Sequence, residues 1–380
     1  MKGEDRPIYL DHNASTPVLP EVVESMLPYL REQFGNPSSS HPYGRAALEG
    51  IQNAREQVAG LLGCEADEVI FTSGGTESNN LAIRGVAAGR GDRRHIVTTV
   101  IEHPATANPC RQLEREGWRV TWLAVDGTGR ARVDEALRAV GGDTALVTVM
   151  HANNEVGTIQ PVEEIARAAR ARGALVHTDA AQSAGKVPTE VEQLGVDLLS
   201  VAGHKLYAPK GVGALYVRRG TPLQPLLRGA GHERGYRPGT ENVASIVGLG
   251  RACEIARRDM EAEASRVRAL RDLLHERLRA EIAGIELNGH PTERLPNTLN
   301  VRFPGVRGSA VLAGAAEVAA ATGSACHEGG EAPSAVLTAM GLDAEPALGA
   351  VRLSLGRSTT AGQVSRAAEA LIRAWAAARG

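Results

Sequence analysis

The sequence predicts an α/β protein in which a large, mostly parallel sheet is joined to a smaller second domain. Three observations support this prediction. The chain has 380 residues, more than the roughly 100–200 residues of a single domain. Short apolar runs alternate with helical stretches through the first two-thirds of the chain, which is typical of parallel β-α-β units. From about Arg251 the pattern changes to that of a long amphipathic helix.

Seven β-like runs define the predicted sheet, and they occupy residues 68–72, 95–100, 120–124, 145–150, 174–178, 198–201 and 213–217. Helical stretches lie between several of them, for example at 163–172. In open sheets of this kind, ligands bind beyond the carboxyl ends of the strands. The residues that come directly after these runs are therefore the first candidates for chemistry.

The second domain is predicted from apolar residues that recur at steps of three and four among charges, namely Val267, Leu270, Leu274, Leu278 and Ile282. The end of the chain is rich in alanine and predicts a terminal helix. We therefore expect a large domain over residues 14–255 and a small domain formed by residues 1–13 and 256–380.

The composition excludes several classes of protein. Hydrophobic residues at 43% and charged residues at 23% argue against a disordered chain. Lys and Arg number 42 against 44 Asp and Glu, so no global basic field exists, and we expect no direct contact with nucleic acid. Because no run of about 18 apolar residues and no apolar signal segment occurs, we expect a cytoplasmic protein without a membrane segment.

The first candidate site is the segment TSGGTES at 72–78, which comes after a strand and opens a helix. Its glycines allow a tight turn, and the free N–H groups of a helix start bind anions. Thr76 could add a hydroxyl group. The alternative is a helix cap with Thr76 at the N-cap position. The segment does not match the nucleoside-triphosphate motif, so that anion is not favoured.

Two further candidates end strands. Asp179 closes a buried run, and a buried carboxylate needs a cation or a strong donor, such as a pyridinium nitrogen. Its alternative role is to cap the next helix. Lys205 stands between Gly203 and a loop with proline and glycine, where it could form an imine with a carbonyl group. The alternatives are that Lys205 is an ordinary surface charge, or that Lys210, five residues later, forms the imine instead.

His103 also comes directly after a strand and could stack on an aromatic ring and move protons near neutral pH. Its alternative is a helix-start histidine that bonds the backbone. Taken together, an anion-binding helix start, a strand-end Asp179 and a strand-end Lys205 suit pyridoxal 5'-phosphate. The phosphate, the ring nitrogen and the aldehyde of that cofactor would each have a partner.

Cys326 lies among small residues in ATGSACHEGGE, where an exposed nucleophilic thiol is expected. A nearby imidazolium of His327 or His103 would favour its thiolate. The other three cysteines are expected to be core residues or bystanders, and no spacing matches a metal site. Arg352 in a β-like run suits a substrate carboxylate, with a structural salt bridge as the alternative, and the amides of 153–154 could serve the same ligand.

Eight segments resemble, in order, those of NifS/IscS-type cysteine desulfurases: YLDHNAST, FTSGGTESNNLAIRG, EHPA, VMHANNEVGTIQPV, the long segment from HTDAAQSAGK to GVGALYV, ERGYRPGTENV, TGSAC and VRLSLGRSTT. These are pyridoxal-phosphate enzymes with the class V aminotransferase fold. The resemblance implies a large, mostly parallel-sheet cofactor domain and a smaller α+β domain that carries the catalytic cysteine. RPGTEN, ACH and VRLSLGRSTT also resemble selenocysteine lyases, which is the alternative function.

The resemblance assigns a role to each candidate. For the cofactor phosphate, it implies contacts from Gly75, Thr76, His204 and, from a second subunit, Thr240. For the cofactor ring, it implies that His103 stacks on the ring, that Asp179 contacts the ring nitrogen and that Gln182 donates to the ring oxygen. It also implies that Lys205 forms the imine with the cofactor. For the substrate, it implies Asn154 and Arg352 at the carboxylate and Cys326 as the persulfide carrier. The contribution of Thr240 implies a homodimer with composite sites.

The implied reaction converts L-cysteine to L-alanine and leaves a persulfide on Cys326. An acceptor protein then takes the outer sulfur of that persulfide.

Three positions differ from many relatives, namely Ala202, His232 and His327. The chain also ends soon after VRLSLGRSTT, where housekeeping relatives carry a docking tail for iron–sulfur scaffolds. A thiolation or DNA phosphorothioation system is therefore expected to fit as acceptor as well as a scaffold does. An aminotransferase and a cofactor-free sulfur relay are the remaining alternatives.

Overall fold

The computed structural model describes residues 6–322 and 332–379 in full, and between them only the backbone of two short strands. The described helices are α1 Pro20–Arg31, α2 Pro42–Leu62, α3 Gly75–Gly89, α4 Pro104–Arg115, α5 Val133–Ala139, α6 Val162–Arg170, α7 Val191–Leu194, α8 Val243–Glu281, α9 Gly308–Gly314, α10 Ala335–Ala339, α11 Ala344–Leu348 and α12 Ala361–Arg379. The described strands are β1 Ile8–Tyr9, β2 Val69–Thr72, β3 His95–Thr99, β4 Arg119–Leu123, β5 Thr144–Thr148, β6 Leu175–Asp179, β7 Leu198–Ala202, β8 Gly213–Val217, β9 Glu286–Asn288, β10 Thr298–Arg302, β11 Val318–Ala319, β12 Cys326–His327, β13 Gly330–Glu331 and β14 Ala350–Ser354.

The large sheet has the strand order β2-β8-β7-β6-β5-β3-β4. Strands β3 to β7 pair in parallel, and β8 runs antiparallel to both of its neighbours. The seven β-like runs predicted from the sequence coincide with β2 to β8 within two residues at each end. The prediction of a mostly parallel sheet is therefore confirmed.

Helices cover both faces of this sheet, because neighbouring residues of a strand point to opposite faces. Ile96 and Leu146 belong to the apolar cluster on one face, with the helices α3 and α4. Val97 and Val147 belong to the cluster on the other face. Strands buried on both sides explain why these runs are almost continuously apolar in the sequence.

The long helix α8 leads from the large sheet to a second apolar cluster. Its beginning, including Leu249, packs in the first cluster, and its end, including Leu274, packs in the second. The second cluster lies against an antiparallel sheet of order β14-β10-β9. Ile8 joins this cluster because β1 pairs in parallel with β11. The described part of the chain thus begins at the second cluster and then passes to the carboxyl edge of the large sheet.

Within the described residues, no helix combines the length and apolar character needed to cross a membrane.

Candidate active site

A cavity of about 400 Å³ opens at the carboxyl ends of the parallel strands, as expected for an open α/β sheet. Nine residues predicted from the sequence line it: Gly75, Thr76, His103, Asn154, Asp179, Gln182, His204, Lys205 and Arg352. Asn13 from the N-terminal segment and Asn79 from α3 also line it, and neither was predicted from the sequence.

The cavity wall includes the start of α3, which lies just beyond the end of β2. The helix begins at Gly75, and its N-cap is Gly74, so the alternative that placed Thr76 at the N-cap is wrong. Gly74 has a φ of 145°, a conformation that favours glycine. A Cβ atom on Gly75 would lie 3.3 Å from that of Ala202, so glycine allows the helix start to approach the end of β7 closely. The first amides of this 15-residue helix can therefore bind an anion inside the cavity.

Asp179 is the last residue of β6, and both of its carboxylate oxygens accept hydrogen bonds. Asn79 Nδ2 donates to Oδ2 at 2.6 Å, and the Ala181 amide donates to Oδ1 at 2.9 Å. The segment after Asp179 is a run of turns, so the alternative role as a helix cap is not realised. Asn79 lies one helical turn after Gly75, and this spacing is the signal that could have identified it. The arrangement holds a carboxylate ready to pair with a cation.

Lys205 ends a short 3-10 turn after β7. Its Nζ donates to the carbonyl oxygens of Asn13 at 2.5 Å and Ala14 at 2.9 Å. Burial and the nearby charge of Arg352 lower the pKa of Lys205 to about 8. A larger share of the amine is therefore neutral and nucleophilic at neutral pH than for an ordinary lysine. Lys210 is exposed and does not line the cavity.

His103 forms the N-cap of α4, and its Nδ1 accepts a hydrogen bond from the Ala105 amide at 3.1 Å. The backbone bond proposed as its alternative role is thus present, and the same ring also lines the cavity. Because Nδ1 accepts, the neutral ring carries its proton on Nε2. Burial lowers the pKa of His103, and the charge of Lys205 acts in the same direction while Asp179 opposes it. A neutral imidazole at the cavity can accept a proton on one ring nitrogen or donate one from the other.

Arg352 lies within β14, where it is buried and reaches across to the N-terminal segment. Its guanidinium pairs with Asp11 at 2.8 Å and donates to the Asn154 carbonyl at 3.1 Å. The salt bridge foreseen as an alternative therefore exists. Its Nε, however, is buried and has no hydrogen-bond partner in the described part of the chain. Because Arg352 lines the cavity and its guanidinium carries five N–H donors, the side chain suits a carboxylate ligand.

Of the two remaining predicted site residues, Thr240 and Cys326, the structure describes the side chain of Thr240 alone. Thr240 is exposed and does not line the cavity. The side chain of Cys326 lies outside the described residues, as does that of His327.

The other three cysteines are free thiols in poor settings for reaction. Burial raises the pKa of Cys64 and of Cys110 to about 12 and raises that of Cys253 as well. The deprotonated form, which is the nucleophile, is therefore rare for all three at neutral pH.

The donor set fits pyridoxal phosphate. A helix start can hold the phosphate, Asp179 can face the ring nitrogen, and Lys205 can receive the aldehyde. All three line one cavity, so a single cofactor can meet them together.

Comparison with known proteins supports this assignment. A profile described as aminotransferase class-V matches residues 8–367. The cysteine desulfurase of Trichormus azollae is 48% identical over 366 residues, which cover 96% of this chain and 92% of that protein. Among solved structures, a NifS-like protein matches with a TM-score of 0.90 and 39% identity, over 97% of this chain and 98% of that one. SspA in complex with cysteine matches with a TM-score of 0.81 and 38% identity, over 91% and 98%.

Proposed function

Since this chain belongs to the class-V aminotransferase family and is a pyridoxal-phosphate-dependent cysteine desulfurase, we propose that Lys205 holds its cofactor and that Cys326 takes the sulfur. The observation that carries this proposal is the meeting of the α3 start, Asp179 and Lys205 at one cavity. The alternative of a selenocysteine lyase is not favoured, because the relative at 48% identity carries the name of a cysteine desulfurase.

The described residues would divide the work on the cofactor. The amides of Gly75 and Thr76 and the ring of His204 would bind the phosphate. Burial and the charge of Lys205 lower the pKa of His204 to about 4, so this ring is neutral and can donate one N–H. Asp179 would keep the ring nitrogen protonated. When bound, the cofactor supplies an electron sink for the substrate α-carbon.

Lys205 and His103 would move the protons. Lys205 Nζ, once displaced by the substrate amine, would take the proton from the α-carbon as a neutral amine. The lowered pKa of Lys205 supports this role. His103 Nε2 would exchange a proton at the substrate thiol or the cofactor ring, while its Nδ1 stays on the Ala105 amide.

Cys326 would complete the reaction. Its thiolate would attack the sulfur atom of L-cysteine, so that an S–S bond forms as the C–S bond breaks. L-Alanine and a persulfide on Cys326 together account for every atom of the substrate and the thiol. A protein acceptor would then take the outer sulfur, and an iron–sulfur scaffold, a thiolation system and a phosphorothioation system all meet that chemical need.

Arg352 and the Asn154 side chain would bind the substrate carboxylate. We expect Arg352→Gln to raise KM for L-cysteine by about 10- to 100-fold, because a hydrogen bond to a charged group contributes about 1.5–3 kcal/mol. Steady-state kinetics measure this change. Arg373→Gln is the matched control, since Arg373 is an exposed arginine that pairs with Glu317. An unchanged KM in Arg352→Gln would contradict the assignment.

A second copy of the chain would complete the site. Thr240 is exposed and stands apart from the cavity of its own chain, which supports a role for it at the phosphate of a partner subunit.

We also propose the division into a large domain over 14–255 and a small domain over 1–13 and 256–380. Three free thiols, Cys64, Cys110 and Cys253, support a cytoplasmic location.

The proposed function has a direct test. Protein reconstituted with pyridoxal phosphate and given L-cysteine and a thiol reductant should release alanine and sulfide in equal amounts without any oxo-acid. Alanine formation that requires an oxo-acid would favour an aminotransferase instead. A purified protein that takes up no pyridoxal phosphate would favour a sulfur relay, and a strong preference for L-selenocysteine would favour the lyase.

A further inference from the structure

We propose that Lys186 is a positioning residue that fixes the side-chain amide of Gln182, so that its N–H group and not its carbonyl faces the cofactor ring oxygen. This inference deepens the proposed function and rests on it. Lys186 itself does not line the cavity, whereas Gln182 does.

Two contacts determine the orientation of the Gln182 amide. Lys186 Nζ donates to Gln182 Oε1 at 3.3 Å, and Gln182 Nε2 donates to the Asn13 carbonyl at 2.9 Å. A backbone carbonyl can only accept a hydrogen bond. The ammonium form of a lysine can only donate, whereas a neutral amine keeps two N–H bonds to donate and gains a lone pair that can accept. The Asn13 carbonyl and the ammonium form of Lys186 therefore require the same orientation of an amide that is otherwise nearly symmetric in shape.

One N–H of the amide remains for a ligand. Gln182 Nε2 has two N–H bonds, and the hydrogen bond to Asn13 uses one of them. The other has no partner among the residues that the structure describes. The same Asn13 carbonyl accepts from Lys205 Nζ at 2.5 Å, so the amide lies beside the proposed attachment point of the cofactor.

The setting of Lys186 is unfavourable for a cation, which argues for a role beyond packing. Lys186 is only partly exposed and forms no ion pair with any carboxylate in the described ranges. Burial and the positive charges of Lys205 and Arg352 lower the pKa of Lys186 to about 7. A cation in such a site lowers the stability of the folded protein, so its presence there indicates a functional role.

The composition of the chain supports the same conclusion. Lysine occurs at only four positions, 2, 186, 205 and 210, although Lys and Arg together number 42. A chain that uses arginine for nearly all of its positive charges keeps a lysine within reach of Gln182. The compact amine fits a partly buried site where a planar guanidinium would demand more partners.

The consequence for the cofactor is electrostatic. A donated N–H stabilises the negative charge of the ring oxygen, whereas an amide carbonyl turned toward it would repel that charge. Stabilising the oxygen anion weakens its hold on the proton that it shares with the Lys205 nitrogen. Without Lys186, only the Asn13 carbonyl still favours the orientation that presents the N–H, so the amide turns more readily and the pH at which that proton leaves should rise.

The experiment is a pH titration of the visible absorption of bound pyridoxal phosphate in the holoenzyme. We expect Lys186→Met to raise the midpoint by at least about half a pH unit and up to about one, since complete loss of a hydrogen bond to a charged group corresponds to about 1.5 kcal/mol and the Asn13 carbonyl still favours the original orientation. Lys210→Met, which removes an exposed surface lysine, should titrate within a few tenths of a unit of the parent. A Lys186→Met midpoint equal to that of the parent overturns the inference.

A second background separates positioning from a direct effect of charge. In Gln182→Ala, which lacks the amide, adding Lys186→Met should cause no further rise if Lys186 acts through Gln182. Equal shifts in both backgrounds overturn the positioning role. The failure of the proposed function looks different, because the parent protein would then show no visible band with pyridoxal phosphate.

Discussion

Replacing Lys205 by alanine should lower kcat/KM for L-cysteine by at least about 100-fold, the lower range for the loss of a positioned proton-transfer group. The variant should also lose covalent attachment of the cofactor. The physical reason is that Lys205 Nζ is the amine held at the cavity wall, 2.5 Å from the Asn13 carbonyl and with a pKa lowered to about 8. Borohydride reduction and then peptide mass analysis measure the attachment.

Lys210→Ala is the matched control for this prediction. Lys210 lies five residues further on and is exposed, so its loss should leave both activity and attachment unchanged. A reducible lysine that persists elsewhere in Lys205→Ala would show that the attachment point is wrong. Retention of the visible band through non-covalent binding alone would not contradict it, since the phosphate and ring contacts remain.

Replacing Cys326 by serine should abolish sulfide release from L-cysteine while the visible absorption of the bound cofactor stays as in the parent. The reason is chemical, because a serine hydroxyl cannot accept sulfur as a persulfide. Sulfide release in the presence of a thiol reductant, together with the absorption spectrum, measures the two properties separately. Cyanolysis of the persulfide in the parent protein gives a second readout.

Cys64→Ser is the control, because Cys64 is a partly buried thiol whose pKa is raised to about 12. It should keep full activity. Full sulfide release by Cys326→Ser would remove the persulfide step. Loss of the visible band in the same variant would instead indicate damage to the cofactor site.

Much of the fold was predictable because local patterns of apolar residues specify its strands and helices. Strands buried on both faces are continuously apolar, and this signal located β2 to β8 within two residues. The carboxyl ends of parallel strands meet at one edge of the sheet, so the residues just beyond the strand ends were the natural candidates for a site. His103, Asp179 and Lys205 were found in this way, and all three line the same cavity.

Local patterns were less decisive where two roles suit one residue type. Thr76 could be an N-cap or lie inside the helix, and only the structure shows that the helix begins at Gly75 with Gly74 as its N-cap. His103 and Arg352 each make the structural contact given as their alternative role, and each also lines the cavity. Histidine has two ring nitrogens and arginine has several donors, so one structural bond leaves another group for a ligand.

By itself, then, the sequence determined which chemical groups stand at the strand ends: a carboxylate, an amine, an imidazole and a helix start. Only the tertiary structure decided what surrounds them. The Asn13 carbonyl accepts hydrogen bonds from Lys205 and Gln182, and Arg352 forms an ion pair with Asp11, although these residues lie far apart along the chain. The physical reason is that these contacts depend on the packing of the N-terminal segment against β14, where the Asn13 amide donates to Ser354 Oγ at 2.9 Å. No local periodicity encodes such a contact, because it forms only when distant segments pack.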